Sequence, residues 1–332
     1  MKPISFLLLG TVILTKLLYA QPLPIKIIKT FHIASNGGWD YLAVGPSNKL
    51  YVSHATQVNI LDKNTGDSLG VISNTTGVHG IAFDKANGKG YISNGRLNNV
   101  TVFELKTDKE LGHIATGENP DAIMYDTYSK MIITCNGRSN NLTVIDPETQ
   151  KVVATIPVGG KPETAVSDDA GKWFINIEDK NEIVVVNSKT YIVDKHWALA
   201  PAEGPTGLAI DKNSKRLFAG CDKKLAVISC TDGKVITTLP IGDGCDGVAF
   251  DNDAKTIYTS NGEGTMTVIK EEAGDKYTVA GNVPTKKSAR TITIDEATHI
   301  LYLPAADLET HAANSQGRPR PIPGTFQILL LK

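Results

Sequence analysis

A short pattern that recurs seven times constrains the fold of this 332-residue chain more than any other feature. In six copies a polar residue is followed by a small residue, an alternating apolar stretch and an Asp, and residues 40–45 form a looser first copy. The copies begin at residues 40, 79, 121, 163, 206, 246 and 290, which gives a period of about 42 residues. Internal repeats of this length are typical of β-propellers, in which each repeat forms one blade.

Each repeat also contains runs of residues that favour four short strands. In the second repeat these runs cover residues 80–83, 90–93, 100–105 and 110–116, and they are rich in Val, Ile, Thr, Tyr and Phe. Asn-Gly, Thr-Gly and Asp-Gly pairs separate such runs, as expected for turns. Because no segment shows a sustained 3.6-residue apolar period, helices are not expected. The sequence therefore predicts an all-β fold, a seven-bladed β-propeller with four-stranded blades.

The two ends of the chain are predicted to complete one blade together. After its first strand, the seventh repeat offers only residues 300–303 and 326–331, one strand fewer than the other repeats. Residues 25–33 resemble the outer strands of other repeats and can supply the missing strand. Since this pairing leaves no open edge in the ring, we expect residues 21–332 to form a single domain closed by the N-terminal strand.

The first twenty residues are typical of a secretory signal peptide. Lys2 precedes a mostly apolar stretch over residues 6–18, and the small Ala20 lies at the −1 position of a cleavage site before Gln21. The run is short for a membrane span and Lys16 interrupts it, so a retained N-terminal anchor is the alternative interpretation. We predict a periplasmic or secreted mature protein with no membrane span after cleavage.

Three similar segments carry a resemblance to a known family, and they are Tyr51-Val-Ser-His, Tyr91-Ile-Ser-Asn and Tyr258-Thr-Ser-Asn. They resemble the YVTN-type repeat, and patterns such as residues 142–146 and 151–159 accompany them. With its Pro-rich tail at residues 318–324, the mature chain is similar to the YncE-like family of seven-bladed propellers. The resemblance implies the fold and no particular chemistry, since lactonase-like, nitrous oxide reductase-like and amine dehydrogenase-like relatives share blades and not activity.

The charge of the chain argues against a nucleic-acid partner. The sequence has a formal net charge of −1, and removal of residues 1–20 takes away Lys2 and Lys16 and lowers it to −3. Non-specific binding to DNA or RNA requires a basic surface. We therefore expect no nucleic-acid binding, although some YncE-like relatives have been associated with DNA.

Comparison of the repeats separates polar residues that serve the fold from candidates for a site. We interpret the Asp that ends the innermost strand in six repeats as a turn residue that binds its own backbone, namely Asp84, Asp126, Asp168, Asp211, Asp251 and Asp295. Small residues on that strand, such as Gly80, Gly207 and Gly247, are expected where seven strands converge on the axis. Tyr41 breaks this pattern and is expected to plug part of the channel.

The first position of the innermost strand is polar in every repeat but varies in chemistry, which indicates a site. We call these residues the mouth ring, because they should line one mouth of the central channel: Asp40, His79, Asp121, Glu163, Thr206, Asp246 and Arg290. Loops between the second and third strands open on the same face and add His54, Asn94, Asn136, Glu178, Asp222 and Asn261. The Asn-Gly pairs among them are alternatively plain turn residues. Four carboxylates against one Arg predict a cationic ligand or a divalent ion, because like charges this close require an offset.

The seventh repeat carries a 21-residue loop, residues 304–324, on the same face. Loops this long in a compact domain are usually functional or disordered, and we predict a lid over the channel mouth. A His-and-carboxylate set for a divalent metal ion would combine Asp40 or Asp121 with three histidines, namely His54, His79 and His311. Solvated or hydrogen-bonded histidines are the alternative, because no HxxxH-type spacing supports a metal site.

The four cysteines are Cys135, Cys221, Cys230 and Cys245, and none has CxxC or haem-attachment spacing. Cys221 and Cys245 are expected on the channel face of neighbouring blades. A disulfide between them, which export would permit, and free buried thiols both remain open.

Three functions fit these observations. The first is an exported propeller that binds a small-molecule or peptide-like ligand at the mouth ring and catalyses nothing. The second is a metal-assisted, lactonase-like hydrolase or lyase, with Glu163 or Asp246 as base, Arg290 as oxyanion partner and His79 in the same ring. The third is a protein-interaction scaffold that uses the blade faces. The sequence has no GxSxG, HExxH or phosphate-binding glycine loop, and this favours the first function.

Overall fold

The computed structural model describes residue 23, residues 25–313 and residues 319–332, with the side chains of residues 310–313 left out of that description. The predicted signal peptide, residues 1–20, lies outside the described residues. In the described part of the chain, no helix is long and apolar enough to cross a membrane.

Seven four-stranded antiparallel sheets form the blades of a β-propeller, which confirms the predicted fold. In blades 1 to 6 the strands are ordered as they occur in the chain. Blade 1 contains β2 (Trp39–Val44), β3 (Lys49–His54), β4 (Gln57–Asp62) and β5 (Ser68–Ile72). Blade 2 contains β6 (Val78–Asp84), β7 (Lys89–Asn94), β8 (Asn99–Glu104) and β9 (Glu110–Ala115). Blade 3 contains β10 (Pro120–Asp126), β11 (Met131–Asn136), β12 (Asn141–Asp146) and β13 (Lys151–Pro157).

The remaining blades repeat this arrangement. Blade 4 contains β14 (Pro162–Ser167), β15 (Lys172–Ile177), β16 (Glu182–Asn187) and β17 (Ile192–Ala198), with a 3₁₀ turn at Glu178–Lys180. Blade 5 contains β18 (Leu208–Asp211), β19 (Arg216–Cys221), β20 (Lys224–Ser229) and β21 (Val235–Pro240). Blade 6 contains β22 (Cys245–Asp251), β23 (Thr256–Asn261), β24 (Thr265–Glu272) and β25 (Lys276–Pro284). Blade 7 contains β26 (Thr293–Asp295), β27 (Ile300–Ala305), β30 (Gln327–Leu331) and β1 (Ile27–His32).

Strand β1 closes the ring from the other end of the chain. It pairs antiparallel with β30, with Phe31 opposite Ile328, and the sheet order is β26, β27, β30, β1. Phe31 is buried in an apolar cluster with Leu50 of blade 1 and Ile328 of blade 7. The predicted closure by an N-terminal outer strand is therefore confirmed, and the strand begins at Ile27.

Glycine lets the innermost strands converge on the channel, as predicted. A Cβ atom added to Gly247 would lie 2.8 Å from the backbone N of Ile292 in the next blade. One added to Gly207 would lie 2.7 Å from the backbone N of Val248. Carbon atoms do not approach other atoms this closely, so any larger residue would push neighbouring blades apart.

The Asp residues that end the innermost strands are turn residues, which confirms their interpretation. Asp251 Oδ1, for example, accepts hydrogen bonds from the backbone N–H groups of Asp253 (3.1 Å) and Ala254 (2.9 Å). Asp126 also binds the neighbouring blade, where its Oδ2 accepts a 2.9 Å hydrogen bond from Trp173 Nε1. These carboxylates therefore fix the turns and one of the blade contacts.

The cysteines settle one open point of the sequence. All four cysteines are buried free thiols, so no disulfide joins Cys221 to Cys245. Burial raises the pKa of the Cys221 thiol to about 12.

The loop of blade 7 contains a hairpin of β28 (Leu308–Ala313) and β29 (Pro319–Pro321). An ion pair of 2.7 Å between Lys286 Nζ and Asp307 Oδ1 holds the base of this hairpin against blade 6.

Candidate functional site

Hydrogen bonds between blades hold the backbone of the mouth ring in place. Thr291 Oγ1 donates to the backbone O of Asp40 at 2.7 Å, which ties blade 7 to blade 1. Thr206 Oγ1 donates to the backbone O of Cys245 at 2.7 Å, which ties blade 5 to blade 6. Thr206, a predicted site residue, thus has a structural hydrogen bond. These bonds fix the inner strands of neighbouring blades to each other at two points of the mouth ring.

Asp40, His79 and Asp121 meet on one side of the ring. His79 Nδ1 lies 2.6 Å from Asp40 Oδ2 and 3.4 Å from Asp121 Oδ1. One potential ligand atom from each residue lies within 4.8 Å of the others, and this is the metal-compatible group in the described part of the chain. Residues 39 and 42 positions apart in sequence therefore form one cluster, as the repeat predicts.

Arg290 of blade 7 lies between the carboxylates of the two neighbouring blades and binds both of them. Its guanidinium lies 3.2 Å from Asp40 Oδ1 and 2.9 Å from Asp246 Oδ2. Arg290 also donates to the backbone O of Trp39 at 3.1 Å. The one arginine of the mouth ring is thus already shared by two carboxylates.

Lys161 joins the candidate site, although the sequence did not predict it there. Its Nζ lies 3.2 Å from Glu163 Oε2 and forms an ion pair with Glu178 from the 3₁₀ turn. Asp179 Oδ1 accepts a 2.7 Å hydrogen bond from the backbone N–H of Lys161. Lys161 lies two residues before Glu163 and therefore outside the repeated pattern, which begins at the mouth-ring position. A lysine two positions from a carboxylate on an extended strand lies on the same face, and this spacing is a sequence signal for the ion pair.

Tyr41 forms a floor beneath the ring, as predicted. Its hydroxyl lies 3.5 Å from Thr164 Oγ1, so the side chain extends from blade 1 to blade 4. Burial and the nearby carboxylates of Asp121 and Asp40 raise the pKa of Tyr41, which keeps it neutral. The Tyr41 side chain therefore fills part of the channel next to the mouth ring.

Burial dominates the electrostatics of the ring carboxylates. It raises the pKa of Asp121 to about 7 and that of Glu163 to about 8, with mutual repulsion adding to the rise at Glu163. It also raises the pKa of Asp246, although Arg290 opposes this. At Asp40, burial is outweighed by Arg290 and His79, which together lower its pKa. Burial lowers the pKa of His79, but the hydrogen bond to Asp40 and the charge of Asp121 raise it to about 9.

The predicted asparagines lie inside the blades and not at the ring. Asn94 Nδ2 donates to Thr101 Oγ1 at 2.8 Å, and Asn136 Nδ2 donates to Thr143 Oγ1 at 2.8 Å. Asn261 makes the corresponding 3.0 Å bond in blade 6. All three side chains are fully buried. Their recurrence with a Thr six or seven residues later marks a role in the fold, and the geometry does not support contact with a ligand.

His54 is likewise engaged in the structure of blade 1. Its Nε2 lies 3.1 Å from the backbone O of Gly37, its Nδ1 bonds Ser35 Oγ, and its ring stacks on Phe326 with centroids 4.0 Å apart. His54 therefore does not join the cluster of His79. His311 lies on β28, and its side chain falls outside the described residues.

A cavity of about 600 Å³ opens above the ring, and we call it the rim cavity. Asp246 and Arg290 border it from the ring, and Glu178 and Asp222 from neighbouring loops. Leu308, Pro319 and Pro321 of the hairpin complete its wall. The long loop of blade 7 thus borders the channel mouth on the predicted face.

Comparisons with known proteins support the fold alone. A scan against protein-family models finds no match, and a search of curated proteins finds none. A structure of hydrazine synthase from Kuenenia stuttgartiensis aligns with a TM-score of 0.71 and 15% identity, over 86% of this chain and 95% of that one. The WD40 repeats of RRP9 align with a TM-score of 0.76 and 9% identity, over 93% of this chain and 97% of that one. The chain is a seven-bladed β-propeller, and the YncE-like resemblance stays a prediction.

The arrangement as a whole is an acidic, one-sided pocket. Six carboxylates belong to the mouth ring or border the rim cavity, namely Asp40, Asp121, Glu163, Glu178, Asp222 and Asp246. Two permanent cations, Lys161 and Arg290, face them in the described part of the chain together with His79. Carboxylates therefore outnumber permanent cations around the mouth ring and the rim cavity in this part of the structure.

Proposed function

We propose that the protein is an exported propeller that binds a small-molecule or peptide-like ligand in the rim cavity through a cationic group of that ligand, without catalysing a reaction. The observation that carries this proposal is the excess of carboxylates over permanent cations around the cavity. Asp222 has no ion-pair partner among the described residues, whereas Arg290 is already shared by Asp40 and Asp246. A ligand cation would reduce the repulsion that remains.

The size and walls of the rim cavity support a ligand of a few residues. Its volume of about 600 Å³ lies within the usual range of small-molecule sites, roughly 300–1,000 Å³. Trp39, Leu308 and the two hairpin prolines provide apolar surface beside the acids. A lysine-like or arginine-like group matches this combination, since its carbon chain packs on apolar walls while its charge reaches the carboxylates.

Calorimetric titration with two short peptides tests the proposal. Both peptides are acetylated at the N-terminus and amidated at the C-terminus, so that the central side chain carries the only charge. We expect Ala-Lys-Ala to bind and Ala-Glu-Ala not to bind at low salt. The double substitution Asp222→Asn with Glu178→Gln should weaken binding at least about 10-fold, roughly 1.4 kcal/mol. The control is the double substitution Asp67→Asn with Glu148→Gln, which removes two exposed carboxylates from turns between third and fourth strands. Equal affinity for both peptides, or equal loss in the control, would rule the proposal out.

Export is the second part of the proposal, and it is supported by the charge and apolar pattern of residues 1–20. Expression of the full chain in a Gram-negative host, followed by fractionation, tests it. We expect a periplasmic product whose intact mass corresponds to a start at Gln21. A cytoplasmic product that keeps residues 1–20 would contradict export.

The alternative function is a hydrolase or lyase. Its four candidate residues all belong to the mouth ring, and they are Glu163, Asp246, Arg290 and His79. The raised pKa of Glu163, about 8, is suited to proton transfer near neutral pH. Hydrolysis of simple lactones by the wild type, lost in Glu163→Gln, would favour this alternative over binding alone.

The scaffold alternative is supported by aliphatic side chains exposed on outer strands of five consecutive blades, namely Ile28, Leu69, Val71, Leu111, Val153 and Ile192. Leu69 and Val71 lie two positions apart on β5, and exposed apolar side chains that lie close together mark interaction surfaces in many proteins. Replacement of Leu69 and Val71 with Asp should leave peptide binding in the rim cavity unchanged, which separates this surface from the proposed site.

A further inference from the structure

One side of the mouth ring has the donor set of a metal site. Asp40, His79 and Asp121 come from three neighbouring blades, and one potential ligand atom from each lies within 4.8 Å of the others. Ligand atoms around a zinc-like ion lie about 2.0–2.2 Å from the metal, so donors separated by about 3–4 Å fit one ion. The present separations from His79 Nδ1, 2.6 Å and 3.4 Å, require only small side-chain rotations.

The charges around Asp121 provide a second, independent observation. Asp40 and Asp246 share Arg290, and Glu163 has Lys161, but His79 is the only charged partner of Asp121 within ion-pair distance in the described part of the chain. A cation among these donors would serve Asp121, the one carboxylate of the mouth ring that lacks a Lys or Arg partner in the described part of the chain.

Glu163 is a neighbouring carboxylate of the mouth ring that already has a cation. It is only 9% exposed, and Lys161 Nζ lies 3.2 Å from its Oε2. Glu163 is therefore not needed in the metal-binding set, which consists of Asp40, His79 and Asp121.

The orientation of the His79 ring is fixed by a glycine in the loop of blade 2. A Cβ atom added to Gly95 would lie 2.6 Å from His79 Nε2. Because this loop packs against the Nε2 edge, Nδ1 is directed at the carboxylates. The corresponding Gly137 of blade 3 has room for a Cβ, whose nearest contact would be 3.5 Å away. Blade 2 therefore has a close contact that positions the imidazole, and blade 3 does not.

We propose that Asp40, His79 and Asp121 bind one divalent transition-metal ion of the Zn²⁺ or Mn²⁺ class at the channel mouth. One imidazole and two carboxylates form a mixed nitrogen and oxygen set, which suits these ions better than soft Cu⁺ or strongly hydrated Mg²⁺. His79 binds through Nδ1 as the neutral imidazole and releases its proton to solvent. Access is open, because the His79 side chain is 25% exposed and those of the two Asp residues 12%.

Titration of the metal-free mature protein with Zn²⁺ and Mg²⁺ tests this site. We expect one Zn²⁺ per chain and no saturable Mg²⁺ binding in the same range. Asp121→Asn should weaken Zn²⁺ binding about 100-fold or more, and His79→Gln should do the same. Thermal melts in EDTA check that at least one of the two variants is folded, and that variant decides the outcome.

Substitutions at Gly95 and Gly137 test whether the loop of blade 2 positions the His79 ring. Gly95→Ala should weaken Zn²⁺ binding about 10-fold, as displacement of a supporting contact does in other metal sites, whereas Gly137→Ala should leave it unchanged. The absence of saturable Zn²⁺ binding in the wild type would overturn the proposal. Binding that survives both Asp121→Asn and His79→Gln would overturn it as well, because the ion would then lie elsewhere.

Discussion

Carboxylates at the two ends of the innermost strands stand in opposite electrostatic situations. At the turn end, burial would raise the pKa of Asp126, but hydrogen bonds from Ser129, Ser167 and Trp173 together hold it below its ordinary value. At the mouth ring, burial raises the pKa of Asp121 to about 7. The two residues belong to one strand, β10, and are five positions apart. The comparison shows that the fold satisfies a carboxylate locally at one end and leaves it dependent on other charges at the other.

The partners explain why the two ends differ. Asp126 is bound by donors of its own turn and of the next blade, all of which are neutral groups fixed by the fold. Asp121 depends on His79 from a different blade, and that group can lose its charge. Neutral local donors serve stability, whereas an incompletely offset charge is available for binding.

The largest expected effect is on stability, from Asp126→Ala. The change leaves Trp173 Nε1 and the N–H of Ser129 without an acceptor in a buried place, so we expect a loss of about 3 kcal/mol in the free energy of unfolding. The matched change Asp121→Ala should alter this free energy by less than about 1 kcal/mol. Urea denaturation of both variants in EDTA measures the difference, and equal losses would remove the distinction between the two ends.

A smaller effect is expected from Arg290→Gln. Asp40 and Asp246 then lose their shared cation, which should cost about 2 kcal/mol, less than a fully buried pair because the Arg290 side chain is one-third exposed. Adding Asp246→Asn to Arg290→Gln should restore part of this loss. A double-mutant cycle by denaturation tests it, and strict additivity of the two changes would show that they do not interact.

The two ends should also respond to pH in opposite directions. The pKa of Glu163 is about 8 in the folded state, whereas a glutamate in the unfolded chain has a pKa near 4.3. Between these two values the folded state binds more protons than the unfolded state. The free energy of unfolding therefore falls as pH rises through this window. Asp126, with its lowered pKa, contributes stability that is lost as pH falls below about 4.

Thermal melts from pH 5 to pH 8 in EDTA measure the mouth-ring part of this behaviour. Glu163→Gln should flatten the decline in melting temperature by about 2–4 °C across the range. Asp67→Asn, at an exposed turn, serves as the control and should leave the decline unchanged. A variant curve parallel to that of the wild type would show that Glu163 does not carry the effect.

The repeat made the fold and the mouth ring predictable from sequence. A 42-residue period places equivalent residues at equivalent points of each blade, so Asp40, His79 and Asp121 could be brought together without any knowledge of distances. The same comparison separated Asp126 and its equivalents as turn residues. A repeated structure supplies long-range contacts that a single unrepeated sequence does not.

Features that depend on local hydrogen bonds and on a local turn escaped prediction. Lys161 reaches Glu163 and Glu178 because of the local 3₁₀ turn, which other blades lack in the described part of the chain. Asn94 and His54 occupy equivalent strand ends, yet both face the blade interior, because the direction of a side chain at a strand end depends on its hydrogen-bond partners. Residue type and repeat position alone do not encode that direction.

The pairing of β1 with β30 also determines when the molecule can be finished. The two strands are separated by almost the entire chain, and contacts of such high sequence separation form late in folding. Blades 1 to 6 consist of consecutive strands and can form as the chain emerges. Blade 7 must wait until β30 has been synthesised, so the ring stays open until that strand pairs with β1.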